Sequence, residues 1–254
     1  MILKIQHFVL FVTIGWVMSC RPEVSGLAKI EAHRLTINDS IISDQAIETF
    51  IIPYRKRVNE VLDSTLAFAP KTISKDDGIY NTPAGNLMAD IVLEQAEPVF
   101  HSRTGKHLDF VLLNHGGIRS IISKGPVSAR TAYEVMPFEN NIAVVELSGK
   151  SVQALVEYLV RSKRAHPIAG LQVILDKNDE IRTITIRGKD FDAGRTYYVA
   201  TSDYLTMGGD SMVFFKDALS VTSVDYLIRN AMIDYFKKVD TLNPVIDNRY
   251  YKME

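Results

Sequence analysis

Phe110, Val111, Leu112 and Leu113 form an unbroken apolar run between Asp109 and Asn114. A strand with one wet face alternates apolar and polar side chains, so this run must be covered on both sides. A sheet meets that demand when helices or a second sheet pack on each face, and the surrounding sequence supplies candidates for both. Asp44 to Leu62 places Ile47, Phe50, Ile51, Tyr54, Val58 and Val61 at helical spacing, with Pro53 expected to kink or divide the helix. Asn86 to Phe100 repeats the pattern through Leu87, Ile91, Val92 and Ala96, with Gly85 at its start and Pro98 near its end. Ser128 to Val135 reads as a short helix, Asn141 to Leu147 as a strand, and Gly149 to Val160 as a helix burying Val152, Leu155, Val156 and Leu159. Leu171–Leu175, Ile181–Ile186 and Arg195–Thr201 are β-branched or aromatic runs between turn residues, hence strands. Val224 to Val239 is expected to close the chain as an amphipathic helix. This order predicts one mixed α/β domain of the α+β type over residues 41–254, a mixed sheet with packed helices.

Composition excludes some functions. With 46% hydrophobic and 23% charged residues, the chain suits a folded domain with an ample core. Its 29 basic and 30 acidic residues leave a net charge of −1, too little field to attract a nucleic acid. At the N-terminus, Lys4 precedes an apolar run from Phe8 to Met18 that is short for a bilayer span and reads as a signal peptide. The run ends in Val17-Met18-Ser19-Cys20, which resembles a bacterial lipobox. Cys20 is the only cysteine, so an intrachain disulfide is excluded, and lipidation competes with an incidental thiol as its role. The expectation is a lipoprotein signal peptide over 1–19, a tether over 20–40, and an exported protein lipid-anchored on the periplasmic or surface face of a bacterial membrane.

Three loops carry residues suited to ligand recognition. Asn114-His115-Gly116-Gly117-Ile118-Arg119 follows the buried run directly: paired glycines admit close backbone approach, Asn both donates and accepts, and Arg offers a fork to phosphate or ribose oxygens. A plain β-turn with a solvated Arg is the alternative. Tyr204 and Met207-Gly208-Gly209-Asp210 put a flat ring and a carboxylate on one loop, suited to stacking a base and holding hydroxyls, or equally to covering core and closing a turn. Pro137-Phe138 places another aromatic at a fixed turn, either a second stacking face or a core plug.

Taken in order, Gly85-Asn86-Leu87-Met88-Ala89-Asp90, Asn114 to Arg119, Met136-Pro137-Phe138 with its following strand, and Tyr204 to Asp210 resemble the C-terminal, substrate-binding domain of the 5'-nucleotidase and UDP-sugar hydrolase family. The resemblance implies a nucleoside sandwiched by Phe138 and Tyr204, polar contacts from Asp210 and Asn114, Arg119 at ribose or phosphate, and Gly116, Gly117, Gly208 and Gly209 as further substrate-binding positions on the same loops. One departure is that the Asp77 to Pro83 segment lacks the Arg many members use for phosphate; Lys75 is the nearest substitute. The family's catalysis resides in a metallophosphatase half with two metals. The six histidines, His7, His33, His101, His107, His115 and His166, show none of its ligand spacings, and Asn114-His115 lacks the flanking Gly and acid. No nucleophile elbow is present either. The chain is therefore expected to hold no catalytic residue, metal ligand or cofactor of its own. Three functions remain open, of which two bind a ligand: the nucleotide-binding part of a split nucleotidase whose partner metallophosphatase carries divalent metals, or a non-catalytic lipoprotein that captures nucleosides or nucleotide sugars. A fold kept as a structural surface is the third.

Overall fold

The structure, a computed structural model, describes residues 40–253 continuously, together with residues 5, 7–10, 12, 27 and 29–38. Cys20 and most of the expected signal segment lie outside the described residues. Residues 1–50 and 51–254 form separate compact units. Helix α1 (Gln45–Leu62) continues through Pro53 instead of dividing there, and none of its residues is buried. Exposure leaves the carbonyl freed by the proline open to water.

The larger unit is built on a five-stranded sheet of β2 (Phe110–Leu112), β4 (Asn141–Ser148), β5 (Ile168–Ala169), β9 (Thr196–Ser202) and β10 (Ser220–Leu227). Their order is β10-β4-β9-β2-β5; β2 and β9 run parallel and the remaining pairs antiparallel. β2 is buried along its whole length, as its apolar run requires. Strand alternation divides the core in two. Val111, Leu113, Ile142, Val144 and Ala200 face one cluster, which includes helices α2 (Pro83–Thr104) and α6 (Ile228–Lys238). Phe110, Leu112, Val145, Leu147 and Val199 face the other, where helix α4 (Gly149–Ser162) contributes Val152, Leu155, Val156 and Leu159.

Around this sheet lie a two-stranded ribbon, β1 (Thr65–Ala69) with β3 (Gly125–Ser128), the short helices α3 (Ala129–Val135) and α5 (Asp203–Thr206), and a four-stranded sheet. That second sheet is ordered β11-β6-β7-β8, from β6 (Leu171–Leu175), β7 (Ile181–Ile186), β8 (Lys189–Asp190) and β11 (Tyr250–Lys252). The expected closing helix is corrected at its start and in its place. Val224 to Leu227 belong to β10, which pairs with β4 from Ser220↔Glu146 to Leu227↔Asn141 across a bulge, and the helix begins only at Ile228. Apolar residues three apart, Val224 and Leu227, imitate a helical face there. Strand β11 follows the helix and pairs in parallel with β6.

The Gly-Asn-Leu-Met-Ala-Asp segment clamps this last strand. Thr82 caps α2 by accepting from the Gly85 N–H at 3.1 Å. In the next residue, the buried Asn86 amide donates to Asn81 Oδ1 at 2.7 Å and to the Val245 carbonyl at 2.8 Å. Asn81 in turn donates to the Asp247 and Tyr250 carbonyls, both at 2.9 Å. Arg249 closes the arrangement with two bonds to Asp90 at 2.9 and 3.0 Å. A buried polar group that loses its partner costs about 1–3 kcal/mol. We predict that Asn86→Ala lowers unfolding free energy by about 2 kcal/mol and speeds proteolysis within residues 245–250. An unchanged urea midpoint with unchanged cleavage would remove the clamp from this account.

Candidate functional site

Three strand ends meet at one edge of the five-stranded sheet. β2 and β9 run parallel, so the loops after Leu112 and Ser202 emerge together, and β4 is antiparallel, so the loop before Asn141 joins them. Ile142 opposite Ser202 fixes that register. Ligands gather at the carboxyl ends of parallel strands for this reason. The cleft here has a volume of about 290 Å³ and is lined by Asn114, Gly116, Gly117, Arg119, Phe138, Asn140, Tyr204 and Asp210. Seven of these eight were singled out in the sequence; Asn140 was not.

The polar floor is a pair. Asn114 donates from Nδ2 to Asp210 Oδ2 at 2.5 Å, joining two loops 96 residues apart. That bond turns Asn114 Oδ1 toward Gly117, where a Cβ would lie 2.9 Å from it, so only glycine fits without displacement. Asp210 itself has left-handed backbone angles, φ 51° and ψ 29°, and Ser211 follows at φ 63°. Such conformations cost non-glycine residues about 1–2 kcal/mol each and persist where surroundings over-determine them. Tyr158 on α4 supplies one restraint, its hydroxyl donating to the Asp210 carbonyl at 2.8 Å. Burial and the Asp210 charge both push the Tyr158 phenol up, which keeps it a donor.

The aromatic walls are half exposed, Phe138 at 39% and Tyr204 at 50%. Arg119 lies over the Phe138 ring at 5.7 Å and donates to the Gly116 carbonyl at 3.3 Å. Gly208 and Gly209 stand outside the wall. A Cβ at Gly209 would fall 2.5 Å from the Tyr204 ring, so the glycine admits that ring, while Gly208 turns the chain at φ +85° beside Lys216. Lys75 donates to the Ile118 carbonyl at 2.7 Å, next to Arg119 in the chain but not on the wall.

Two supporting residues escaped the sequence reading. Arg229 on α6 is 4% exposed; it donates to the carbonyls of Pro137 and Phe138 at 3.4 and 3.3 Å and to Glu139 at 2.6 Å, with its guanidinium 4.1 Å above the Tyr133 ring. It thereby ties down the turn that presents Phe138. His166, 4% exposed, accepts from the His115 backbone N–H at Nδ1 over 3.2 Å and packs against the Tyr158 ring at 5.5 Å. Its sequence setting, Ala165-His166-Pro167, carries no periodic signal.

Among the described residues, no three His, Cys, Asp or Glu side chains form a cluster able to hold a metal ion. His115 Nδ1 faces the Ala165 carbonyl at 3.3 Å and its Nε2 is 4.0 Å from Asp76, while His166 Nδ1 is occupied by the backbone. This donor set does not fit a dinuclear centre.

A mixed sheet with a two-walled cleft at the meeting of three strand ends defines an α/β domain with a candidate ligand site. Residues 65–217, more than half of the chain, match the family described as 5'-nucleotidase, C-terminal domain, and the chain belongs to that family. A 5'-nucleotidase of Vibrio parahaemolyticus is 23% identical over 230 residues, spanning 87% of this chain and 38% of the relative. Cell wall protein Lmo0130 of Listeria monocytogenes is 26% identical over 211 residues, 76% of this chain and 27% of the relative. The 5'-nucleotidase precursor from Thermus thermophilus superposes with a TM-score of 0.67 at 22% identity, over 81% of this chain and 43% of that one. The NAD nucleotidase of Haemophilus influenzae gives 0.63 at 15%, over 83% and 42%. The chain thus spans less than half the length of each.

Burial, and then the neighbouring His115 charge, push His166 down from 6.5 to about 4. Between these values the unfolded chain binds a proton that the folded chain refuses, so stability falls as pH drops through that window. We predict a loss of about 3 kcal/mol from this group between pH 7 and pH 4, absent in His166→Gln. Equal acid sensitivity of the two proteins in urea titrations would refute it.

Proposed function

We propose that this chain is the nucleoside-recognising part of a split 5'-nucleotidase-type phosphoesterase serving nucleotide breakdown, with the metallophosphatase half on a separate subunit. The observation that carries this reading is the single cleft in which Phe138 and Tyr204 stand with the Asn114–Asp210 pair. Aromatic faces bind a base at about 1–3 kcal/mol each by stacking, and a carboxylate beside an amide accepts and donates to ribose hydroxyls or a base edge. Arg119 at the rim supplies a fork for a ribose or phosphate oxygen. The divalent metals belong to the partner, which would meet this chain at the mouth of the cleft, as sites between two bodies commonly form. The name of the Listeria relative, a cell wall protein, together with the resemblance of Val17-Met18-Ser19-Cys20 to a lipobox, supports an exported, membrane-anchored location.

Titration calorimetry of the full chain with adenosine and AMP tests the cleft. Each of Phe138→Ala and Tyr204→Ala is expected to weaken binding about tenfold or more; undiminished affinity in both would sink the stacking role. The split arrangement predicts that a metallophosphatase chain co-purifies and that phosphate release from AMP requires both chains. Tight nucleoside binding with no such partner would instead favour the capture lipoprotein.

A further inference from the structure

A second, larger cavity of about 430 Å³ opens between the C-terminal end of α4, the β6–β7 turn and β11. Its apolar lining includes the buried Leu175, the half-buried Val160 and the exposed Ile79, and Tyr80 and Tyr250 form an aromatic wall with ring centroids 5.1 Å apart. Four cations line it, Arg161, Lys163, Arg164 and Lys252, against one acid, Asp179, a local balance of +3 in a chain whose net charge is −1. Lys252 is neutralised by Asp179 at 2.7 Å. The side chains of Arg161, Lys163 and Arg164 have no ion pair or hydrogen bond among the described residues. The α4 helix dipole accounts for a cation in its last turn, which is Arg161, but Lys163 and Arg164 lie beyond it.

Tyr250 gives a second, independent sign. The residue is 3% exposed, and its hydroxyl, which has no hydrogen-bond partner among the described residues, is left open to the cavity that it lines. Burial pushes this phenol up, so it remains an O–H donor. Apart from the engaged Asp179 and the phenols of Tyr80 and Tyr250, which both donate and accept, the polar side chains around this cavity are donors, and an excess of donors beside an apolar, aromatic surface describes the complement of an oxyanion attached to a flat body. The Asn81 and Arg249 clamp holds β11 in place, so the floor is preformed.

We infer that this cavity is a second ligand site, separate from the cleft at the sheet edge, that takes an organic phosphate of two or more negative charges carrying a planar ring. The cations hold the phosphate oxygens, Tyr250 donates to one of them, and the ring lies against Tyr80 and Ile79.

The test uses ADP as the probe and the full chain carrying Phe138→Ala with Tyr204→Ala, so that the first cleft is disabled. Calorimetry is expected to show one remaining site, weakened at least tenfold by adding Arg161→Ser with Arg164→Ser, both exposed positions, and at least threefold by adding Tyr250→Phe. Pyrophosphate is expected to compete for it and adenosine to compete poorly. Absence of binding in the cleft-disabled chain, or binding that the cation variants leave unchanged, overturns the inference. Failure of the nucleoside reading looks different: the unsubstituted chain and the cleft-disabled chain would then bind ADP alike.

Discussion

The parallel pairing of β2 with β9 is the constraint on which the site depends. Phe110 opposite Val199 and Val111 opposite Ala200 send two loops, distant in sequence, out of the same edge. Were the pair antiparallel, the Asn114 loop and the Tyr204 loop would leave opposite ends of the sheet, several strand residues apart at about 3.3 Å each. Parallel pairing also demands a covered sheet, and the two core clusters meet that demand. The same apolar burial that stabilises the domain therefore determines where its polar side chains converge.

Convergence alone does not hold a cleft open, and the remaining restraints act on the backbone. Asn114 and Asp210 bind each other; Tyr158 holds the left-handed Asp210 by its carbonyl; His166 holds the start of the Gly-Gly turn; Arg229 holds the Phe138 turn through two carbonyls. Each loop is thus tied to a helix or to a buried side chain behind it. The walls can be half exposed because the positions beneath them are not. A ligand meeting such a site spends little of its interaction energy on ordering loops.

Much of this was legible in the sequence where the signal is local. The run Phe110–Leu113 announced a doubly covered strand, the α4 periodicity its buried face, and the loop compositions seven of the eight residues lining the cleft. What was hidden is non-local. β10 reads as the start of a helix until its pairing with β4 is known, since Val224 and Leu227 fit either period. β1, β3 and β11 are only three to five residues long and gain their hydrogen bonds from distant partners. Arg229 and His166 look ordinary in their own segments because their roles come from what the fold lays across them. Asn86, quoted as part of a binding-family signature, proved to serve the C-terminal strand and not the cleft.

That clamp has a consequence for biosynthesis. The amides of Asn81 and Asn86, at the head of the long helix α2, reach carbonyls lying 159 to 169 residues downstream. Until those residues emerge from the ribosome, the Asn81 and Asn86 amides lack these carbonyl partners, and the second sheet lacks its edge strand. Long-range closure of this kind delays folding. The second sheet is complete only when strand β11 has paired with β6, so its closure falls to the residues made last among those described.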